Sequence, residues 1–103
     1  MYNIIWTEPT LDDYHSNIEY LLKEWSEKEA LDFIDDIEKV LYQLRQGNII
    51  FKETGYHNIQ HFVVCKQISL YYRIIDEQTI ELLRFWNNYQ DKKWLKIKRT
   101  LFF

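Results

Sequence analysis

The residues most able to do chemistry lie in the second half of the sequence. They are His61, Arg73, Arg84 and Tyr89. Arginine holds phosphate or carboxylate groups, tyrosine stacks on bases or fills interfaces, and histidine transfers protons. All four lie in predicted strands or at strand ends, so a sheet could gather them into one site. The alternative is that Arg73 and Arg84 pair with Glu77 or Glu81 and only stabilise the sheet.

The stretch RFWNNYQDKKW, residues 84–94, extends this set into a region without Gly or Pro. Residues 1–60 hold 5 Lys/Arg and 12 Asp/Glu, whereas residues 61–103 hold 8 and 4, so an acidic chain carries a basic C-terminal part. Such a part can bind an anionic partner, or it can be a solvated tail that happens to be basic. As the surface that binds a target or partner we predict Arg73, Arg84, Trp86, Tyr89, Lys92 and Lys93.

Other kinds of site find little support in the residue pattern. The three histidines lack metal-ligand spacing with one another or with Cys65, and two glycines are too few for a glycine-rich phosphate loop. We therefore expect no metal and no cofactor. Cys65 is predicted to be a reduced, buried strand cysteine of a cytoplasmic protein, because a single cysteine cannot form an internal disulfide.

The length and composition suit one globular domain over residues 1–103, since 47% of the residues are apolar and 28% are charged. Aromatic residues make up 17%, so some of them are expected to face solvent or a partner. No apolar run is long enough to span a membrane, and the N-terminus lacks the pattern of a signal peptide.

The elements that must position these residues follow from periodicity. YNIIWT, residues 2–7, predicts a strand. Apolar residues at steps of three and four then trace one face of a helix up to Trp25, with Asp12 and Asp13 in its first turn. SEKE, residues 26–29, has the spacing of a capping box and opens a second helix that Gly47 ends. Two helices so close in sequence form a helical hairpin.

After a segment predicted mostly as loop, three strands follow: IQHFVVCK, SLYYRIID and TIELLRFW. Their close spacing predicts hairpins, with loose turns because no Asn-Gly pair is present. In the last strand, one face is expected to carry Ile80, Leu82, Arg84 and Trp86. One face of the sheet should pack under the helices, and the other is apolar enough to take a partner. The fold class is α+β: a two-layer domain of order β-α-α-β-β-β, with a helical hairpin packed on a mainly antiparallel four-stranded sheet.

Four strings carry a resemblance to a known family: IIWTEPTLDDYHSNIEYL, WSEKEALDFIDDIEKVL, SLYYRIID and IELLRFWNNYQDKKWL. They cover nearly the whole chain, which resembles the RelE/ParE toxins of bacterial type II toxin–antitoxin systems, most of all the ParE-like, plasmid-stabilisation branch. The resemblance implies a small cytoplasmic toxin that inhibits growth. It also implies a cognate antitoxin protein whose C-terminal segment folds against the toxin, and a homo- or hetero-oligomer with that antitoxin.

Two modes of action occur in this family. RelE-like members cut messenger RNA on the ribosome without a metal, using basic residues on the sheet and often a Tyr or His near the C-terminus. For that mode, the resemblance implies His61, Arg84 and Tyr89 as the catalytic candidates. ParE-like members lack most of this set and poison DNA gyrase.

Three places in the chain depart from the family's patterns. Relatives of the ParE-like branch often have Arg-Gln in place of Tyr89-Gln90 and basic residues in place of Gln60-His61, and the RelE-like pattern has Arg in place of Ser69. Fewer cations stabilise a reacting phosphate more weakly. We therefore expect a toxin that binds a protein target such as gyrase. The alternatives are an mRNA endonuclease and a non-toxic interaction module.

Overall fold

The computed structural model describes residues 1–47, 52–53 and 59–89. In chain order its elements are β1 (Asn3–Trp6), α1 (Glu8–Glu24), α2 (Glu27–Gln46), β2 (Lys52–Glu53), β3 (Ile59–Val63), β4 (Ile68–Asp76) and β5 (Thr79–Asn87). The sheet order is β1-β5-β4-β3-β2, with β1 parallel to β5 and the other pairs antiparallel. The predicted α+β architecture is confirmed, and the two-residue β2 adds an edge strand within the segment that was predicted mostly as loop.

Both helices begin at a side-chain cap. The side chain of Thr7 caps α1, which carries Pro9 in its first turn, where the missing N–H is not needed. Ser26 Oγ accepts the N–H of Glu29 at 3.2 Å, and Gly47 ends α2 in the left-handed conformation with φ 68°. The predicted cap and end of α2 are confirmed. The prediction that Asp12 and Asp13 lie in the first turn of α1 is wrong, because this helix begins at Glu8.

The main core lies between the helical hairpin and one face of the sheet. It joins Leu21 and Phe33 of the helices to Leu70 and Leu82 of the strands, each of them fully buried. Burying one such side chain stabilises the fold by roughly 1.5–3 kcal/mol. Part of the aromatic excess is used here, since the rings in contact include Trp6, Tyr14, Phe33 and Phe85.

A β-bulge interrupts the pairing of β4 with β5. Tyr71 pairs with Arg84, whereas Tyr72 pairs with Leu82, so Leu83 is the extra residue of β5. An extra residue in one strand shifts every later side chain to the opposite face.

The bulge changes which residues at the end of β5 face the helices. Phe85 joins the main core, whereas Trp86 joins a second cluster made of Ile59, Tyr71, Leu83 and Trp86. The prediction that Trp86 shares a face with Ile80 and Leu82 is therefore wrong. The second sheet face, which was expected to need a partner, holds this cluster, and its three most buried members are each 4% exposed.

The two hairpin turns differ in length. Asp76 pairs with Thr79, so two residues connect β4 to β5, and Asp76 Oδ1 accepts the N–H of Gln78 at 2.8 Å. The expectation of a loose turn is wrong here, because an aspartate can close a turn through its own side chain. The turn between β3 and β4 is longer and contains Cys65, which is half-buried in the turn rather than buried in a strand.

Candidate functional site

The end of β5 is held by α1, which takes the place of a neighbouring strand. β1 pairs with β5 from Thr79 to Leu82. From Leu82 onward, side chains of α1 and of its cap residue Thr7 bind the backbone of β5. The hydroxyls of Thr7 and Thr10 donate to Leu82 O at 2.8 and 2.7 Å. Further along, the backbone N–H and carbonyl of Phe85 bond to Asp13 and Asn17 at 3.1 and 3.0 Å.

The sequence pattern did not indicate this polar face, which α1 and its cap residue form together. Its members are separated by three, three and four residues, which is the spacing of one helix face: Thr7, Thr10, Asp13 and Asn17. Thr10 and Asn17 are 0% and 3% exposed. Because these polar residues point inward, two leucines predicted for the buried face, Leu11 and Leu22, are instead 43% and 52% exposed.

Arg84 is bound by a carboxylate of α1. Its Nε and Nη2 donate to Asp13 Oδ2 and Oδ1 at 2.5 and 2.8 Å, and the two side chains are 16% and 12% exposed. This bidentate geometry fixes the plane of the guanidinium. The sequence suggested an acidic partner for Arg84 on the sheet itself, but the partner lies on α1.

Arg73 has the kind of partner that the sequence suggested. Its Nη2 donates to Glu81 Oε1 at 2.7 Å, between adjacent residues of β4 and β5. The side chains are 42% and 22% exposed, so water screens the pair and it adds little to stability.

The structure places two of the three catalytic candidates in one row. His61 of β3 pairs with Tyr71 of β4, which pairs with Arg84 of β5. The ring centres of His61 and Tyr71 lie 4.9 Å apart, with an angle of 32° between the ring planes. Because β4 lies between β3 and β5, Tyr71 lies between His61 and Arg84 in this row. The third candidate, Tyr89, lies beyond the end of β5.

Asn87 shapes the chain where β5 ends. It is 4% exposed, its Nδ2 donates to Asn17 Oδ1 at 3.1 Å, and its Oδ1 accepts the N–H of Tyr89 at 2.8 Å. The sequence indicated a polar turn here, but gave no sign that one of its amides is buried and bound to α1.

Asn88, which follows β5, binds both β4 and the turn between β3 and β4. Its N–H donates to Gln67 O at 2.6 Å, and its Nδ2 donates to Ser69 Oγ at 3.0 Å. Ser69 is 1% exposed. The position where RelE-like relatives have Arg is therefore occupied here by a buried hydroxyl that fixes a turn.

An exposed aromatic patch lies beside this turn and consists of Trp25, Lys66 and Tyr89. The rings of Trp25 and Tyr89 are 5.7 Å apart at 64°, and Lys66 Nζ lies 5.1 Å from the centre of the Trp25 ring. Trp25 is 37% exposed and Tyr89 49%. Among the residues predicted to bind a partner, Trp86 is buried in the second cluster, and Lys92 and Lys93 lie outside the described residues.

Burial raises the pKa of several side chains. Burial raises the pKa of the Cys65 thiol, whose Sγ donates to Gln67 Oε1 at 3.4 Å, and burial also raises the pKa of Tyr72. A thiol kept protonated is a poor nucleophile. Across the described ranges there is no group of three His, Cys, Asp or Glu residues that could hold a metal ion, and no helix there is long and apolar enough to cross a bilayer.

Comparison with known protein families identifies the family of this chain. Residues 4–92 match the family described as ParE toxin of type II toxin–antitoxin system, parDE. The chain belongs to this ParE toxin family. It is therefore a toxin of the RelE/ParE superfamily, and the family resemblance noted in the sequence is confirmed. A search among curated proteins finds no match.

Solved structures share the fold of this ParE-family toxin. The chromosomal ParDE system from P. aeruginosa has a chain that is 17% identical, with a TM-score of 0.69 over 84% of this chain and 96% of that chain. The YoeB/ParE toxin from Agrobacterium tumefaciens is 15% identical, with a TM-score of 0.57 over 86% and 100%. A chain of the heterotetrameric YoeB–YefM toxin–antitoxin complex from Staphylococcus aureus is 12% identical, with a TM-score of 0.56 over 86% and 99%.

Proposed function

We propose that this ParE-family toxin arrests growth in the cytoplasm by binding a protein target, with DNA gyrase as the first candidate. A cognate antitoxin neutralises it. The antitoxin is supported by the fold relatives, since the structures from P. aeruginosa and S. aureus are described as toxin–antitoxin systems.

The observation that carries this proposal is that the Lys and Arg side chains of residues 59–89 already contact partners within the protein. Residues 59–89 contain three Lys or Arg residues, and each contacts a partner within the protein. Arg84 binds Asp13, Arg73 binds Glu81, and Lys66 lies over Trp25. A reacting phosphate needs cations aimed at its developing charge. Arginines already paired with carboxylates offer less of that stabilisation, which favours protein binding over RNA cleavage.

The proposed contact surface centres on Tyr89 and keeps Arg73, Lys92 and Lys93 of the residues predicted from the sequence. Trp86 is buried and Arg84 is bound by Asp13, so neither is included as a contact residue. Exposed aromatic residues and arginines dominate the energetics of protein interfaces. Tyr89 is half-exposed and supported by the Trp25 ring, so it presents a rigid apolar surface at low entropic cost. Lys92 and Lys93 would extend this surface with positive charge.

Induced expression in a bacterial host tests the proposal. We expect growth arrest together with altered plasmid supercoiling and DNA double-strand breaks, and co-expression of the antitoxin should restore growth. The neighbouring reading frame is the natural source of that antitoxin. Growth arrest with unchanged DNA topology would contradict gyrase as the target. Unaffected growth would favour the non-toxic interaction module.

A second candidate function is mRNA cleavage on the ribosome. The row formed by His61, Tyr71 and Arg84 across three strands is the observation that favours it. Mapping cleavage in ribosome-bound messages separates the two functions. If messages are cut, and replacing His61, Arg84 and Tyr89 together abolishes the cuts, the endonuclease is correct.

A further inference from the structure

Two buried asparagines connect α1 to the residue at which the proposed contact surface begins. Asn17 and Asn87 are 3% and 4% exposed. Asn17 Nδ2 donates to Phe85 O at 3.0 Å, Asn87 Nδ2 donates to Asn17 Oδ1 at 3.1 Å, and Tyr89 N donates to Asn87 Oδ1 at 2.8 Å. These three hydrogen bonds run from the backbone of β5, through the helix, to the backbone of Tyr89.

Both positions require an amide side chain. Each asparagine donates with its nitrogen and accepts with its oxygen in the same chain of bonds. An ionised aspartate at either position could only accept. At position 87 it could still accept from Tyr89, but its other oxygen would face the oxygen of Asn17.

The last bond of this chain ends at the backbone of a residue that is 49% exposed. What the bond provides is order, because it fixes the direction of the backbone at Tyr89 relative to α1. The contact between the rings of Trp25 and Tyr89 fixes the side chain against the same helix.

We propose that Asn17 and Asn87 are positioning residues of the toxin, which hold Tyr89 in the one arrangement that fits the target. The inference rests on the proposed function, since it takes Tyr89 to be a contact residue. An interface whose groups are already ordered loses less entropy on binding, so losing this order weakens the contact without removing any group that touches the target.

The test compares two isosteric substitutions at adjacent positions, Asn87→Asp and Asn88→Asp, in the full chain expressed without antitoxin. Both add one negative charge at the same turn. Asn87→Asp removes the donor that Asn87 offers to Asn17 Oδ1. Asn88→Asp should be tolerated, because the Ser69 hydroxyl that now accepts from Asn88 can donate instead. Growth arrest is measured at equal protein levels, and the melting temperature is measured on the purified chains.

Lost stability must be separated from lost positioning. Ile37→Val, a core change in α2 far from Tyr89 in sequence, serves as a control that destabilises the fold modestly. If Asn87→Asp does not fold, Asn87→Ser replaces it, since a serine hydroxyl can still accept from the N–H of Tyr89 but is too short to reach Asn17.

We expect the Asn87 variant to reduce toxicity on the order of tenfold, as for loss of one interface contact, while Asn88→Asp and Ile37→Val remain toxic. Equal loss in Asn87→Asp and Asn88→Asp would show an effect of charge and overturn the proposal. Loss that follows the melting temperature, so that Ile37→Val is affected equally, would also overturn it.

Tyr89→Ala shows which of the two proposals fails. If Tyr89→Ala loses toxicity and the Asn87 variant keeps it, positioning by the asparagines is wrong and the contact surface stands. If Tyr89→Ala remains fully toxic, the contact surface itself is wrong, and the positioning proposal falls with it.

Discussion

At the residue scale, polar side chains in this protein act mainly as ties between α1 and β5. Asp13 accepts from the guanidinium of Arg84 and from the N–H of Phe85, with both ionic side chains less than one-fifth exposed. The sequence left open whether Arg84 binds a partner or pairs with Glu77 or Glu81, and in the structure it pairs with Asp13. The sequence could not reveal this pairing, because Asp13 lies 71 positions away and meets Arg84 only once α1 covers the edge of β5.

Replacing Asp13 by Asn should destabilise the protein by about 2 kcal/mol, because the change leaves a mostly buried guanidinium without its countercharge. Urea unfolding measures the loss. Asp12→Asn is the matched control, since Asp12 is exposed on the same helix, and it should change stability by less than about 0.5 kcal/mol. Equal effects at the two positions would contradict the role given to Asp13.

Tyr72 should make the fold sensitive to alkaline pH. Burial raises its pKa above the ordinary value of 10.0, so the folded protein holds this proton more tightly than the unfolded chain does. Its stabilising effect is therefore complete below that ordinary value and is lost as pH rises above it. Unfolding free energies measured across this range should fall with pH.

The variant Tyr72→Phe should flatten this decline, because it removes the titrating group. Some slope should remain, since burial also raises the pKa of Tyr14. Tyr42→Phe is the control, as Tyr42 is 58% exposed, and it should decline like the unsubstituted protein. An identical slope in Tyr72→Phe would show that another group is responsible.

At the scale of elements, the order and most bounds of the helices and strands follow from sequence pattern, whereas the bulge in β5 does not. The capping serine and the terminal Gly47 of α2 are local signals, and the structure confirms them. The bulge at Leu83 has no such signal, because neither Gly nor Pro marks it. It lies where the neighbour of β5 changes from β1 to α1. This change depends on tertiary packing and not on a local sequence signal.

The docking of α1 on β5 can be tested at Thr10. Thr10→Val keeps the shape of the side chain but removes the hydroxyl that donates to Leu82 O at 2.7 Å. We expect a loss of about 1 kcal/mol, because Thr7 still donates to the same carbonyl and the carbonyl keeps one partner. Thermal or urea unfolding measures it. The exposed change Ser16→Ala on the same helix should be nearly neutral, and a Thr10 variant that is equally neutral would contradict this account of the docking.

At the scale of the whole molecule, family and fold are established, and the candidate site is a surface at the end of β5. Residue types alone could suggest this surface, but they could not show which of its residues are buried and which are exposed. The sequence suggests that Trp86 and Asn87 lie on the surface, but both are buried. The bulge places Trp86 in the second cluster, and Asn87 is bound to Asn17 of α1. Tyr89 remains exposed against Trp25.

The central claim is that this toxin acts by binding a protein rather than by cutting RNA. The most direct measurement adds the purified chain to purified DNA gyrase and relaxed plasmid, and follows supercoiling. We expect the unsubstituted chain to inhibit supercoiling, and Tyr89→Ala to inhibit it more weakly, on the order of tenfold. Gyrase that supercoils at its normal rate, with the same preparation cleaving ribosome-bound messages, would contradict the claim.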